Sequence, residues 1–180
     1  MTPSDHPDTP SPVSPPPAAL DVPDEIVRSI RIAADPETVF AIVSEPGWFI
    51  NDGTYREHTV ESDGRTARVT DPVHGTFEIG IVELDAPHRA VFRWLGGDAG
   101  TLEDAPQNTV TFTIVPDDDG VVLTVTETGF ASLDADAVDR RRRFEENSAG
   151  WEEELTVARE RARELRELQE QEHDTTGRGR

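Results

Sequence analysis

Residues 30–40, IRIAADPETVF, join the end of a predicted strand to the start of a predicted helix. Upstream, over residues 26–32, isoleucines alternate with other residues, which is typical of a strand. Asp35 is a suitable N-cap, and Pro36 suits the first helical position because its missing N–H needs no partner there. The segment therefore predicts a strand followed by a short helix that ends near Pro46.

Two aromatic residues follow this first helix. Pro46 and Gly47 end the helix, and Trp48 and Phe49 come directly after them. We predict a second short helical turn here, whose large side chains plug one end of the core.

Six further strands are predicted downstream, from runs of β-branched and aromatic residues that alternate with polar ones. Turn sequences separate them, among them SDG at 62–64 and DDDG at 117–120, which suit hairpins. The predicted strands are Tyr55–Glu61, Arg65–Thr70, Gly75–Leu84, Ala90–Trp94, Thr109–Val115 and Val121–Phe130.

A long helix is predicted over residues 133–172. Phe144, Trp151, Leu155 and Leu165 recur at helical spacing, and glutamates and arginines interleave on the outer face. Strands that follow one another along the chain favour antiparallel pairing. The predicted fold class is therefore α+β: a curved antiparallel sheet of about seven strands wrapped around a long C-terminal helix, with two short helices after the first strand.

The composition predicts one domain between two tails. Residues 1–24 hold eight of the fourteen prolines and no arginine, so we expect a disordered tail there. The folded domain is predicted over residues 25–172, and a second disordered tail over residues 173–180. No apolar run approaches the roughly 20 residues that span a bilayer, and the N-terminus lacks the pattern of a signal peptide. We therefore expect a soluble, cytoplasmic protein.

Charge and residue content exclude several classes of function. The chain has 37 acidic and 17 basic residues and a formal charge of −20, and such a field repels nucleic acid. Cysteine is absent, and the five histidines show no metal-ligand spacing. The sequence contains no phosphate loop, dinucleotide fingerprint or serine nucleophile elbow. We expect no metal, no cofactor and no nucleic-acid partner.

Four stretches of the chain resemble the SRPBCC superfamily, also called START-like or helix-grip proteins. They are IRIAADPETVF at 30–40 with Trp48 after it, VFRW at 91–94, VTFTIVP at 110–116, and LTVTETGF at 123–130 with Asn147, Gly150 and Trp151 downstream. Within the superfamily the chain is similar to the bacterial branch named after the heat-shock-protein-90 ATPase activator. The likeness extends over about residues 25–165 and implies the helix-grip fold. It implies no single activity, because the superfamily includes lipid transfer, hormone binding, polyketide cyclisation and co-chaperone roles.

A helix laid across a strongly bent sheet leaves space between the two, so we expect an internal cavity. Small-molecule pockets usually measure roughly 300–1,000 Å³ and are mostly apolar with a few polar groups. Aromatic side chains suit the walls of such a pocket, although each of them equally suits a filled core. The aromatic candidates for ligand binding are Trp48, Phe77, Phe92, Trp94, Phe112 and Trp151.

Glu127 is the one candidate for a catalytic residue and also a candidate ligand contact. It shares a strand face with Leu123 and Val125. If that face is concave, the carboxyl lies in an apolar cavity, where burial raises its pKa and suits it to act as acid, base or ligand anchor. If strand twist near Gly129 carries it to the rim, it is solvated instead. Asn108 is expected to supply an amide on the same face.

Three small residues occur within the predicted long helix, just before Trp151. Residues 148–150 read SAG, and a glycine inside a helix costs roughly 1 kcal/mol relative to alanine. Such a stretch allows a close approach of the helix backbone either to the sheet or to a bound ligand.

Three hypotheses for the function remain open at this point. The first is a binding module for a small hydrophobic or aromatic molecule, acting in transport, sensing or protection. The second is a cyclase-like or dehydratase-like enzyme for a polyketide-like substrate, in which Glu127 moves protons. The third is a co-chaperone-like interaction protein, which predicts an exposed apolar patch and a sealed core. A protein partner is compatible with the sequence but is not assigned.

Overall fold

The computed structural model describes residues 22–177, apart from residues 97, 99, 100, 104 and 134. Residues 1–21 of the first predicted tail and residues 178–180 of the second lie outside this part of the chain, whereas residues 173–177 lie within it and are helical. Over the described residues, none of the helices combines the length and apolar character that crossing a bilayer requires.

Seven antiparallel strands form one curved sheet, and all seven predicted strands are present. The strands are β1 Glu25–Ile32, β2 Thr59–Ser62, β3 Thr66–Asp71, β4 Gly75–Asp85, β5 Arg89–Trp94, β6 Asn108–Asp117 and β7 Gly120–Thr128. Their order across the sheet is β1-β7-β6-β5-β4-β3-β2. Consecutive strands from β2 to β7 pair with each other, and β1 closes the far edge against β7. A register shift between Ile81 and Glu83 bends β4.

The first helix, α1, spans Pro36–Val43 and begins as predicted. The Asp35 side chain accepts hydrogen bonds from the backbone N–H and the hydroxyl of Thr38, both at 2.8 Å. A short helix therefore follows β1, capped by the residue that the sequence indicated.

The second short helix predicted after α1 is instead a turn over residues 46–49. Gly47 has a φ of +76°, a conformation that interrupts a right-handed helix and favours glycine. A Cβ at this position would lie 2.8 Å from Val69 Cγ1, so the turn also needs glycine for its close approach to β3. The turn still delivers Trp48 and Phe49 to the core, where both are buried.

The long helix, α2, spans Ala137–Gly177 and contacts β1 and α1. It begins later than predicted, because the Asp136 side chain accepts hydrogen bonds from the N–H groups of Val138 and Asp139 at 2.9 Å. Trp151, Leu155 and Ala158 lie on its buried face. The sheet, α1 and α2 therefore enclose one core, as the α+β prediction required.

Candidate functional site

Aromatic rings fill most of the space between the sheet and α2. Trp48 lies 5.2 Å from Phe112, Phe112 lies 5.8 Å from Trp151, and Phe49 lies 5.3 Å from Trp151, measured between ring centroids. Such spacings are those of favourable aromatic pairs. The interior is therefore more completely packed than the expected large cavity.

One opening remains beside the rings, with a volume of about 170 Å³. We call it the tryptophan cleft. It lies between α2, the end of β5 and the chain after α1, and exposed Glu146 stands at its rim. It is smaller than the expected pocket. Its lining residues are Phe49, Asn51, Trp94, Glu146, Asn147, Gly150, Trp151 and Glu154.

Three rings form the apolar wall of the tryptophan cleft. Phe49 packs edge-on against Trp94 at 5.1 Å, and Trp94 lies 6.3 Å from Trp151. Each ring comes from a different element: Phe49 from the turn after α1, Trp94 from the end of β5, and Trp151 from α2. The wall is therefore a product of the tertiary fold.

Glu127 lies behind this wall with its side chain fully buried. Its Oε1 accepts hydrogen bonds from Trp94 Nε1 and Asn108 Nδ2, both at 2.9 Å. Its Oε2 accepts a bond of 2.6 Å from Trp151 Nε1, and Asn147 Nδ2 lies within 3.2 Å of both oxygens. One carboxyl thus connects β5, β6 and α2 through four side-chain donors.

Burial raises the pKa of the Glu127 carboxyl above its ordinary value, while the four N–H donors act in the opposite direction. The face that Glu127 shares with Leu123 and Val125 is the buried one. Of the two predicted environments, the structure therefore places this carboxyl in the interior and not at a solvated rim.

Glu154 is a second buried carboxyl, and it lines the tryptophan cleft directly. Burial raises its pKa to about 7, and the negative charges of Glu153 and Asp52 act in the same direction. Asn51 Nδ2 opposes this by donating to Glu154 Oε2 at 2.8 Å. The cleft therefore contains a carboxyl that takes up or releases its proton nearer to neutral pH than an ordinary glutamate does.

Asp71 anchors the chain that carries Asn51. Burial alone raises the pKa of Asp71, but the backbone N–H groups of His74 and Val73 and the Arg56 guanidinium together hold it below its ordinary value. Arg56 Nη1 lies 3.2 Å from Asp71 Oδ2, and the Arg56 backbone N–H donates to Asn51 Oδ1 at 3.0 Å. These contacts hold the segment between α1 and β2 in position against the β3–β4 turn.

Gly150 is the point where α2 opens onto the tryptophan cleft. A Cβ built on Gly150 meets no atom within 4 Å, apart from its chain neighbours and the helix backbone. Close packing of the helix against the sheet therefore does not require glycine here. The helix carries a residue with poor helix propensity at a position where a side chain would take up cleft volume.

Gly150→Ala is expected to stabilise the protein by about 1 kcal/mol, because alanine is the better helix former and its methyl group meets nothing. Urea denaturation monitored by circular dichroism measures this difference. A destabilised variant would show that the backbone at residue 150 needs glycine for its conformation.

The structure separates the eight predicted site residues into three groups. Trp94 and Trp151 line the tryptophan cleft. Asn108 and Glu127 lie directly behind it, joined by a hydrogen bond. The remaining four are core residues that do not line it: Trp48, Phe77, Phe92 and Phe112.

Sequence reasoning left out five polar or aromatic lining residues: Phe49, Asn51, Glu146, Asn147 and Glu154. Asn147 and Glu154 lie four residues before and three residues after Trp151, so helical spacing places all three on one face of α2. That spacing is a signal which could have identified them. Phe49 was predicted only as a core plug, and nothing in the sequence brings Asn51 to the helix.

A second concavity, of about 520 Å³, lies at the other end of β7. It contains none of the predicted site residues. Arg31 pairs there with Asp117 at 2.8 Å, and Arg166 Nη1 donates to the Ala33 carbonyl at 2.9 Å. Its charged lining is typical of a solvated surface. Within the described part of the chain, no group of three or more His, Cys, Asp or Glu residues is arranged to hold a metal ion.

Comparison with known families identifies the fold from the sequence as well. Residues 33–158 match the model of the family described as activator of Hsp90 ATPase homolog 1-like protein. The chain belongs to this family. The match covers α1, β2 to β7 and most of the cleft-lining part of α2, which confirms the resemblance inferred from the four stretches. No curated protein matches the sequence.

Solved structures share the fold of this family member at low sequence identity. Protein MLL2253 from Mesorhizobium loti superposes with a TM-score of 0.57 at 17% identity, covering 76% of this chain and 95% of that chain. Protein CV1439 from Chromobacterium violaceum superposes with a TM-score of 0.54 at 21% identity, covering 76% of this chain and 96% of that chain. The di-domain ARO/CYC protein StfQ from the steffimycin biosynthetic pathway superposes with a TM-score of 0.54 at 16% identity. The superposition covers 79% of this chain and 51% of that chain. At these identities the likeness concerns the fold alone.

Proposed function

We propose that this protein binds a small aromatic molecule in the tryptophan cleft, in a carrier, sensing or protective role. The single observation that carries the proposal is Gly150, a helix-interior glycine without a packing reason, at the mouth of a cleft walled by three rings. A site kept open at some expense of helix stability is more consistent with an occupant than with a defect in packing.

The volume of the cleft limits the size of the occupant. A dry apolar cavity of about 150 Å³ accommodates benzene. The tryptophan cleft, at about 170 Å³, matches one aromatic ring with a short substituent, and a larger ligand would extend past the rim at Glu146. A long lipid chain does not fit this volume.

Binding is better supported than catalysis. A general acid or base must come within hydrogen-bond reach of the proton it moves. Both oxygens of Glu127 are occupied by buried donors, and Trp94 and Trp151 separate the carboxyl from the cleft. The enzyme hypothesis, in which Glu127 moves protons, therefore lacks contact between its catalytic residue and the ligand. The name of StfQ gives no information about a substrate of this chain, because the two proteins are similar only in fold.

The co-chaperone-like hypothesis calls for a contiguous exposed apolar patch. Among the described residues, the exposed large apolar side chains are spread over several elements, for example Val27 on β1, Val115 on β6 and Leu168 on α2, and the two nearest in sequence are Val82 and Leu84 on β4. Single exposed apolar residues of this kind are normal for a protein surface. They give no support to a surface-based role.

Gly150→Leu is expected to weaken the binding of benzyl alcohol, a neutral one-ring probe, by at least about tenfold, because the side chain occupies the cleft. Isothermal titration calorimetry measures the affinity. Ala149→Leu is the matched control, since Ala149 is exposed one residue away on the same helix and does not line the cleft. Equal affinities for the two variants and the unmodified protein would refute the proposed site.

A further inference from the structure

We infer that the ligand of the tryptophan cleft carries a positive charge beside its ring, as an aromatic ammonium compound does. This inference rests on the proposed function and adds the chemical class of the ligand. It follows from which hydrogen-bonding groups of the cleft are already engaged within the protein and which remain available to a ligand.

Every side-chain N–H donor of the cleft is already engaged within the protein. The indole N–H groups of Trp94 and Trp151 donate to Glu127. Asn147 Nδ2 donates to Glu127 and to the Gly96 carbonyl. Asn51 Nδ2 donates to the Trp48 carbonyl and to Glu154. The lining therefore has no side-chain donor free for a carboxylate or phosphate group of a ligand.

Acceptors, by contrast, remain available at the cleft. A carboxylate has about four acceptor positions, and within the described part of the chain Glu154 receives hydrogen bonds from two donors, Asn51 Nδ2 and the Gly53 backbone. Asn147 Oδ1 accepts no hydrogen bond from any described residue. A ligand that complements these groups must itself supply N–H or O–H donors.

The charge of the lining has the same sign throughout. Among the described lining residues, Glu146 and Glu154 are the ionisable ones, and Glu146 has a cationic partner, Arg142, at 2.9 Å. Three aromatic rings line the same cleft as Glu154, and aromatic rings attract cations through their electron-rich faces. The net charge of −20 adds a field that concentrates cations around the protein. Ring stacking, hydrogen bonding and charge therefore favour the same ligand class.

Three probes of similar size and different charge test this inference by calorimetry at about pH 8, in about 0.15 M salt. They are benzylamine, which is cationic, benzyl alcohol, which is neutral, and benzoate, which is anionic. Benzylamine is expected to bind at least about tenfold more tightly than benzyl alcohol, with benzoate weakest, because charge-assisted hydrogen bonds are the stronger ones. Equal binding of benzylamine and benzyl alcohol, blocked by Gly150→Leu, would overturn the inference and leave the proposed function standing. Failure of all three probes to bind in a way that depends on Gly150 would overturn both.

Glu154→Gln separates local recognition from the general field of the protein. It is expected to reduce benzylamine affinity about tenfold and benzyl alcohol affinity much less, because glutamine removes the charge but keeps an acceptor oxygen for a hydroxyl group. Glu160→Gln is the matched control, because it removes one charge from an exposed position of the same helix outside the cleft. Equal losses in the two variants would assign the preference to the overall charge and overturn the inference.

Discussion

Glu127→Ala is expected to lower the free energy of unfolding by at least about 3 kcal/mol, because it leaves the side-chain donors of Trp94, Asn108 and Trp151 in the interior without an acceptor. Each orphaned donor costs roughly 1–3 kcal/mol. Domains of this size are stable by only about 5–15 kcal/mol, so this substitution removes a substantial part of the total stability.

Chemical denaturation followed by circular dichroism tests this expectation, with two comparison variants. Glu127→Gln retains one acceptor oxygen but places an amide N–H group among donors, so an intermediate loss of about 2 kcal/mol is expected. Glu25→Ala removes an exposed carboxyl from β1, the neighbouring strand, and should change stability by less than about 0.5 kcal/mol. If Glu127→Ala were as stable as Glu25→Ala, the buried network would contribute nothing to the fold.

Glu154→Gln is expected to become more stable than the unmodified protein as the pH rises. In the folded protein the pKa of Glu154 is about 7, against 4.5 as its ordinary value. The folded state therefore holds the proton more tightly. The stability that protonated Glu154 contributes is complete below about pH 4.5 and is lost as the pH rises through about 7. Glutamine resembles the protonated side chain and does not titrate, so at about pH 8 the variant should be stabler by about 3 kcal/mol.

The measurement is the difference in unfolding free energy between Glu154→Gln and the unmodified protein at several pH values from about 4.5 to 8. Taking the difference removes the contributions of the other carboxyls that both proteins share. Glu160→Gln serves again as the control, with a difference close to zero at every pH. A constant difference for Glu154→Gln across this range would mean that Glu154 titrates as an exposed carboxyl does.

The effect of Glu154 on stability complements its proposed role in binding. An ionised carboxyl beside three rings is costly in the empty protein, and a cationic ligand would offset that cost. The same substitution is thus expected to stabilise the protein and to weaken benzylamine binding. Opposite effects of this kind are common where a binding site uses a destabilising group.

The order of elements was predictable from the sequence because local patterns determine it. Alternation in β6 and β7 indicated their buried faces, and Asp35 with Pro36 indicated the start of α1. The burial of Glu127 followed from the same alternation once the concave side was known. The segment predicted as a second short helix is a turn, because Gly47 adopts a positive φ that interrupts a right-handed helix.

The shape of the site was less predictable, because it depends on how the volumes of the side chains fill the space under α2 and not on the periodicity of the sequence. Alternation places Phe92 and Phe112 on the inner face but does not indicate that their rings fill the space under α2. Whether Gly150 serves packing or access depends on atoms far along the chain. Helical spacing gives Asn147 and Glu154 a common face with Trp151, while the partner of Glu154, Asn51, is brought in by the contacts of Asp71.

The most direct test of the account is nuclear magnetic resonance of the indole N–H groups during titration with benzylamine. The chain has three tryptophans, two of which line the tryptophan cleft, while Trp48 lies in the core and does not line it. Binding in the cleft predicts saturable shifts of the Trp94 and Trp151 signals, with little change at Trp48, and no such shifts in Gly150→Leu. Unchanged signals from Trp94 and Trp151 at saturating benzylamine would contradict the proposal that this cleft is the binding site.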